Sequence, residues 1–177
     1  MAPNDAAPVV LVGLPGSGKS TVGALVADRL SRHFVDLDAE MELSAGMSVG
    51  EIFARDGEAG FRRLERETTA ALKGEPGLVI APGGGWLMNT GARELLDTGA
   101  MVFYLKVSPA RAIERLRESV VRRPLLVGSS PLSLMTDILE ERASTYAGAD
   151  FAVDTELLTP QQVAVEVIRL AQKSMPR

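Results

Sequence analysis

The sequence contains no cysteine, one histidine (His33) and no apolar run long enough to cross a membrane. Without cysteine the chain can form neither disulfide bonds nor thiolate metal sites, and it is compatible with a reducing compartment. Its longest apolar runs have the length of β-strands, not the ~20 residues of a membrane-spanning helix. Residues 1–8 lack the basic and apolar regions of a secretory signal. We therefore expect a cytoplasmic protein that does not bind membranes and has a flexible N-terminal tail over residues 1–8.

An excess of positive charge is also absent. The formal net charge is −4, and both signs are spread along the chain. This charge pattern argues against nucleic-acid binding through bulk electrostatics, so a polyanionic ligand would have to be bound by a few well-placed cations. The 177 residues, 46% of them apolar, are sufficient for one compact domain. We expect a single domain over residues 9–177 that acts as a monomer.

Short apolar runs alternate with segments of helical periodicity, which is typical of a parallel sheet covered on both faces. We predict an α/β fold with three layers, in which a central parallel sheet of about five strands lies between helices. The predicted strands are Val9–Val12, Phe34–Asp38, Leu78–Ala81, Met101–Leu105 and Phe151–Val153.

Three helix starts are indicated by capping residues. Ser48 with Glu51, and Thr159 with Gln162, have the spacing of capping boxes, and Ser108 precedes a proline suited to the first helical position. Residues 118–133 have the weakest pattern of regular structure, because basic residues are mixed there with glycine, serine and proline.

The strongest motif is a phosphate loop at Gly13–Ser20, with the pattern G-x-x-x-x-G-K-[ST] between a predicted strand and a predicted helix. Glycines allow backbone amides to surround a phosphate, and a helix N-terminus adds partial positive charge. Lys19 can reach the β- and γ-phosphates, and the Ser20 hydroxyl can bind Mg²⁺. The residues predicted to bind ATP here are Gly16, Ser17, Gly18, Lys19, Ser20 and Thr21. A guanine-reading Asn-Lys-x-Asp element does not occur, which favours phosphoryl transfer to a small acceptor over a GTPase.

Three further features lie at predicted strand ends or in mixed surroundings. Asp36 and Asp38 would point to one side of a strand, where one carboxylate could support Mg²⁺ and the other could accept a proton from an attacking hydroxyl. Alternatively, they are a polar strand end leading into a solvated helix start. Gly83–Gly85 could allow close approach of backbone to a ligand, or could form a tight loop without ligand contact. The arginines Arg62, Arg123 and Arg142 would, on pattern alone, be surface charges.

Taken in order along the chain, these motifs resemble shikimate kinases, a branch of the nucleoside-monophosphate-kinase-like group. The resemblance extends from about Val9 to Leu170. It includes the phosphate loop, the D-x-D in Phe34–Asp38, the Phe61–Glu65 stretch and the glycine triplet, followed by the Arg123–Leu126 and Glu141–Tyr146 stretches. Each motif is weak alone, but their common order is specific.

The resemblance implies a role for each matching residue. Lys19 and Ser20 would serve phosphate and Mg²⁺, Asp36 would support the metal, and Asp38 would orient or deprotonate the hydroxyl that is phosphorylated. Arg123 would lie on a mobile lid near residues 115–133 and reach the transferring phosphate, acting in catalysis together with Lys19 and Asp38. Shikimate, and especially its carboxylate, would be held by Asp38, Arg62, Gly83, Gly84, Gly85 and Arg142. Either Arg115 or Arg117 would cover the adenine.

Two rival hypotheses remain at this stage. A kinase for another small acceptor, such as gluconate or a nucleoside monophosphate, would share the phosphate loop, although the two substrate arginines with Asp38 favour a polyhydroxy acid. A non-catalytic nucleotide-binding module would have lost chemistry-bearing residues, whereas Lys19, Ser20 and Asp38 are all present.

Overall fold

The computed structural model describes residues 7–96, 99–118 and 130–174. Its strands are β1 (Val9–Val12), β2 (His33–Asp36), β3 (Leu78–Ala81), β4 (Met101–Lys106) and β5 (Phe151–Asp154). They form one sheet in the order β2-β3-β1-β4-β5, and every neighbouring pair is parallel. The predicted parallel sheet of about five strands is confirmed.

Helices connect the strands and cover both faces of the sheet. Within the described ranges they are α1 (Lys19–Leu30), α2 (Leu37–Ala45), α3 (Val49–Ala71), α4 (Pro109–Glu118), α5 (Pro131–Tyr146) and α6 (Pro160–Lys173). Two 3-10 turns, Trp86–Met88 and Arg93–Leu95, lie between β3 and β4. No helix in these ranges is long and apolar enough to cross a membrane.

Alternate residues of β1 enter two separate cores, because successive side chains of a strand point to opposite faces. Val9 and Leu11 pack with apolar residues of α1 and α6 on one face of the sheet. Val10 and Val12 pack with residues of α4 and α5 on the other face. All four residues of β1 are buried, as a central parallel strand requires. The three layers are thereby established, with the carboxyl end of β1 in the middle of the sheet edge.

The predicted strand Phe34–Asp38 is wrong at its carboxyl end. The strand stops at Asp36, whose carboxylate accepts a hydrogen bond from the Ala39 amide and caps α2. Aspartate is among the best residues at this capping position, so the backbone turns into a helix immediately. Asp38 therefore lies in the first turn of α2, and the same-side argument for two strand residues does not apply. The alternative of a polar strand end leading into a helix start describes the backbone correctly.

The three predicted helix starts are confirmed. Both capping boxes form, with reciprocal bonds between Ser48 and Glu51 and between Thr159 and Gln162. The Ser108 hydroxyl accepts a hydrogen bond from the Arg111 amide at the start of α4. Helix α3 is kinked at Gly57, whose φ of 66° and ψ of −173° are not helical.

Ordered residues lie at the boundaries predicted for the tail and the lid. The carbonyl oxygens of Ala7 and Pro8 accept hydrogen bonds from Arg32 and from the Met101 amide, so these two residues belong to the folded domain. Residues 115–118 close α4 and residues 131–133 open α5. Residues 119–129 of the predicted lid, including Arg123, lie outside the described residues.

Candidate active site

The phosphate loop joins β1 to α1 at the middle of the carboxyl edge of the sheet. Gly16 and Gly18 have φ angles of 82° and 97°, which favour glycine, and Gly18 is the N-cap of α1. A Cβ atom at Gly16 would lie 2.4 Å from the Ala112 carbonyl oxygen, so the loop packs directly on the backbone of α4. The amides of the first turn of α1 consequently face the crevice where ligands bind in open α/β sheets.

Lys19 lies along this loop. Its Nζ donates hydrogen bonds to the carbonyl oxygens of Gly13 and Leu14, each at 3.0 Å. Ser17 is buried, and its Oγ has no hydrogen-bond partner within the described ranges, whereas Thr21 is exposed on α1. The ammonium group is thus held at the loop that would surround a phosphate.

Ser20 and Asp36 come from α1 and β2 and meet beside the loop. The Ser20 hydroxyl donates a hydrogen bond of 2.7 Å to Oδ2 of Asp36. Two hard oxygen donors next to a phosphate site suit Mg²⁺, which usually takes one or two protein ligands together with phosphates and water. No cluster of three or more histidine and acidic residues is found in the described part of the chain. The pair therefore fits the magnesium role predicted for it.

The glycine triplet brings together the three charged side chains predicted to bind the acceptor. A Cβ atom at Gly83 would lie 3.0 Å from Oδ1 of Asp38, and one at Gly84 would lie 2.7 Å from Nη1 of Arg142. A Cβ atom at Gly85 would lie 2.5 Å from Nη2 of Arg62. Each glycine therefore leaves room for one charged side chain, so Arg62 and Arg142 are not isolated surface charges.

The triplet also adjoins the phosphate loop. The same Cβ position at Gly84 would be 3.2 Å from the carbonyl oxygen of Gly13. The groups predicted to bind phosphate and the groups predicted to bind the acceptor thus share one crevice, as transfer between two bound substrates requires. The Nε of Arg142 is buried and has no hydrogen-bond partner within the described ranges. A buried donor without a protein partner calls for an explanation, and an anionic ligand would supply one.

Glu65 and Asn89 hold Arg62 in place, and sequence reasoning did not identify either as a site residue. Glu65 is fully buried and accepts hydrogen bonds from Arg62 at 2.9 Å and from Asn89 at 3.1 Å. Asn89 also donates to the Arg62 carbonyl oxygen. The helical spacing of Arg62 and Glu65 is a signal that could have indicated the first contact. Asn89 follows the glycine triplet in a turn, and no sequence pattern points to it.

The two candidates for the adenine side differ in their surroundings. Arg115 donates to the hydroxyl and carbonyl oxygens of Thr155, directly after β5. Arg117 is exposed on α4. The structure therefore places Arg115 at the carboxyl edge of the sheet, on the same side as the phosphate loop.

The sequence profile of the family described as "Shikimate kinase" matches residues 15–172. The chain belongs to the shikimate kinase family. A shikimate kinase of Symbiobacterium thermophilum is 41% identical over 167 residues, which cover 93% of this chain and 96% of that protein. The shikimate kinase of Acinetobacter baumannii, whose structure is solved in complex with shikimate, is 31% identical, with a TM-score of 0.87, and the match covers 97% of this chain and 96% of that one.

A gluconokinase of Sinorhizobium meliloti has the same fold, with a TM-score of 0.60, but is only 21% identical. This likeness shows the shared α/β architecture of P-loop kinases and nothing about the acceptor. Shikimate kinases, by contrast, match the chain in both sequence and structure.

Proposed function

We propose that this chain transfers the γ-phosphoryl group of ATP to the 3-hydroxyl of shikimate, giving shikimate 3-phosphate and ADP in the aromatic amino acid pathway. The observation that carries the proposal is the convergence of Asp38, Arg62 and Arg142 on three consecutive glycines beside the phosphate loop. One carboxylate and two guanidinium groups suit a small acceptor that has both hydroxyls and a carboxylate.

The two arginines bind the acceptor carboxylate in this proposal. Arg62 is aligned by Glu65 and its side chain is 22% exposed, so it can reach a ligand without losing its support. Arg142 contributes the buried Nε donor that has no protein partner among the described residues. Guanidinium groups form paired hydrogen bonds with a carboxylate, which fix the orientation of the ring as well as its affinity.

Asp38 orients the reacting hydroxyl and accepts its proton as the bond to phosphorus forms. It lies in the first turn of α2, with its carboxylate next to Gly83. Lys19 neutralises charge that develops on the transferring phosphoryl group, which is the main demand of this reaction on the protein. The part of Arg123 in transfer stays a prediction.

Ser20 and Asp36 hold Mg²⁺ in this proposal. When bound, the ion would reduce the negative charge of the ATP phosphates during transfer. Thr155 keeps Arg115 at the nucleotide side, so Arg115 is proposed over Arg117 as the cover of the adenine. We further propose a cytoplasmic monomer that binds neither nucleic acid nor membrane. The lack of cysteine is compatible with a reducing compartment, and the net charge of −4 argues against nucleic-acid binding.

The function is tested by coupling ADP release to a panel of acceptors: shikimate, its neutral carboxamide, gluconate and a nucleoside monophosphate. We expect turnover with shikimate and at least ~100-fold lower kcat/KM with the carboxamide, because the buried arginine donors are then poorly paired. Preference for gluconate or the nucleotide would replace the proposal with a rival acceptor. ATP binding without turnover on any acceptor would favour the non-catalytic module.

Arg62→Lys tests the carboxylate contact itself. Lysine keeps the charge but cannot form two parallel hydrogen bonds, so we expect the KM for shikimate to rise ~10- to 100-fold while the KM for ATP hardly changes. Arg63→Lys is the matched control, because that neighbouring side chain is 74% exposed. If the two variants had equal kinetics, Arg62 would be a surface charge that does not bind the acceptor.

A further inference from the structure

The hydroxyl of Tyr146 is bonded to the backbone of the glycine triplet. Tyr146, the last residue of α5, is 2% exposed and donates a hydrogen bond of 2.9 Å to the Gly84 carbonyl oxygen. Arg142 lies four residues earlier on the same helix and contacts the same glycine from its side chain. One helix therefore supports Gly84 twice, once at the carbonyl and once over its α-carbon.

Fixing this carbonyl fixes the direction of the Gly85 amide, which belongs to the same planar peptide unit, and restrains the Gly84 backbone that precedes it. All described peptide bonds are trans, so the Gly85 N–H points away from the carbonyl that Tyr146 holds. Within the described ranges, neither the Gly84 nor the Gly85 amide donates a hydrogen bond to protein. Three consecutive glycines have wide conformational freedom, and no side chain of their own restrains them. The bond from the Trp86 amide to the Gly83 carbonyl closes the triplet into a turn, and the Tyr146 hydroxyl adds a restraint from outside the triplet that helps to keep the two amides aimed in one direction.

The Tyr146 ring is held in turn by a neighbour. It stacks on Tyr104 of β4 with ring centroids 4.6 Å apart and planes 18° from parallel. Burial raises the pKa of the Tyr146 hydroxyl, and nearby Arg142 only partly offsets this effect. The hydroxyl therefore keeps its proton and remains a donor throughout the neutral pH range.

We propose that Tyr146 is a positioning residue for the acceptor: its hydroxyl holds the Gly84 carbonyl so that the Gly84 and Gly85 amides face the acceptor carboxylate beside Arg62. This inference rests on the proposed function. It assigns to Tyr146 no contact with substrate and no proton transfer. The affinity for the acceptor carboxylate then depends on the Tyr146 hydroxyl, which bonds to the Gly84 carbonyl and not to the acceptor.

Tyr146→Phe removes the hydroxyl and keeps the stacked ring. We expect the KM for shikimate to rise about tenfold, equivalent to ~1.4 kcal/mol, with less than about a twofold change in the KM for ATP. Discrimination between shikimate and its carboxamide should fall by a similar factor, because the misaligned amides favour the carboxylate less. Tyr104→Phe is the matched control, since it removes the neighbouring hydroxyl and leaves Tyr146 bonded.

The proposal is overturned if Tyr146→Phe keeps the wild-type KM for shikimate and the wild-type discrimination, or if both substrates are affected equally. A general loss of packing would produce the second pattern. Wild-type enzyme is assayed in parallel, so that failure of the proposed function can be told apart from failure of the role of Tyr146. If the wild type does not phosphorylate shikimate, the proposed function fails, whatever the variant does.

A second measurement applies even if Tyr146→Phe does not fold. The chain contains two tyrosines, so Tyr104→Phe protein labelled with 3-fluorotyrosine carries its fluorine at Tyr146 alone. We expect its fluorine NMR resonance to move when shikimate is added and to stay in place with ADP alone. An unchanged resonance at saturating shikimate would contradict the coupling between this hydroxyl and the acceptor.

Discussion

Gly85→Ala should separate acceptor binding from folding. A Cβ atom there would lie 2.5 Å from Nη2 of Arg62, about 1 Å closer than ordinary contact begins. The backbone itself accepts alanine, since Gly85 has a φ of −100°. The contact falls on the far end of a flexible side chain, so the guanidinium moves and the fold persists. We expect the free energy of unfolding to change by less than ~1 kcal/mol, because the alanine also restricts the unfolded chain.

Displacement of the Arg62 guanidinium should strongly reduce the activity with shikimate. A misplacement of ~1 Å in a positioning group can reduce the rate ~100-fold, so we expect kcat/KM for shikimate to fall by about that factor. The KM for ATP should stay within about twofold, because the three atoms nearest to the added Cβ all belong to Arg62. The measurements are ADP release at varied concentrations of each substrate and urea unfolding of the same preparation.

The matched control is Gly50→Ala in the first turn of α3, where an added Cβ atom meets nothing within 4 Å. This variant should keep both kinetic constants and gain stability of roughly 0.5–1 kcal/mol. Gly83→Ala should be intermediate, since its Cβ would lie 3.0 Å from Asp38. Wild-type kcat/KM for shikimate in Gly85→Ala, combined with a defect in Arg62→Lys, would refute the claim that the close approach of Arg62 demands glycine.

Two further predictions concern charge. Lys19→Ala should lower kcat ~100- to 1000-fold (~2.7–4 kcal/mol) with almost unchanged Tm, because the ammonium lies on the loop and contributes to transfer; near wild-type turnover would exclude this role. Burial raises the pKa values of Tyr104 and Tyr146 above that of unfolded tyrosine, near ~10. Their contribution to stability is therefore fully present below ~pH 10 and is lost as the pH rises through the folded pKa values. Between pH 8 and 11, wild type should lose more unfolding free energy than Tyr104→Phe, and equal losses would contradict the burial effect.

Local sequence signals predicted those parts of the fold and of the site that depend on residues close together in the chain. The phosphate loop and the capping boxes at Ser48 and Thr159 are confirmed, because each is a hydrogen-bonding pattern within a few residues. The error at Asp38 has the same local origin. Its strand assignment assumed that extended backbone continues, whereas the Asp36 side chain caps a helix at that point.

Contacts between distant segments could not be predicted in this way. Asn89 reaches Arg62 across 27 residues, and Tyr146 reaches Gly84 across 62. Asn89 belongs to no motif found in the sequence, and Tyr146 ends the Glu141–Tyr146 stretch without a role of its own there, so the contacts of both depend on the packing of α3 and α5 against the triplet. The roles of Asp38, Arg62 and Arg142 came from the family resemblance, and the structure adds the physical reason for the three glycines between them.

Under the proposed function, the one-to-one match between the glycines and the charged side chains limits how acceptor specificity can change during evolution. Asp38, Arg62 and Arg142 come from three different helices, but each occupies the space above one residue of a single segment. A larger residue in the triplet excludes its own partner and leaves the other two in place. Relatives that adopt another acceptor should therefore show paired substitutions, in which a triplet glycine and its opposite side chain change together.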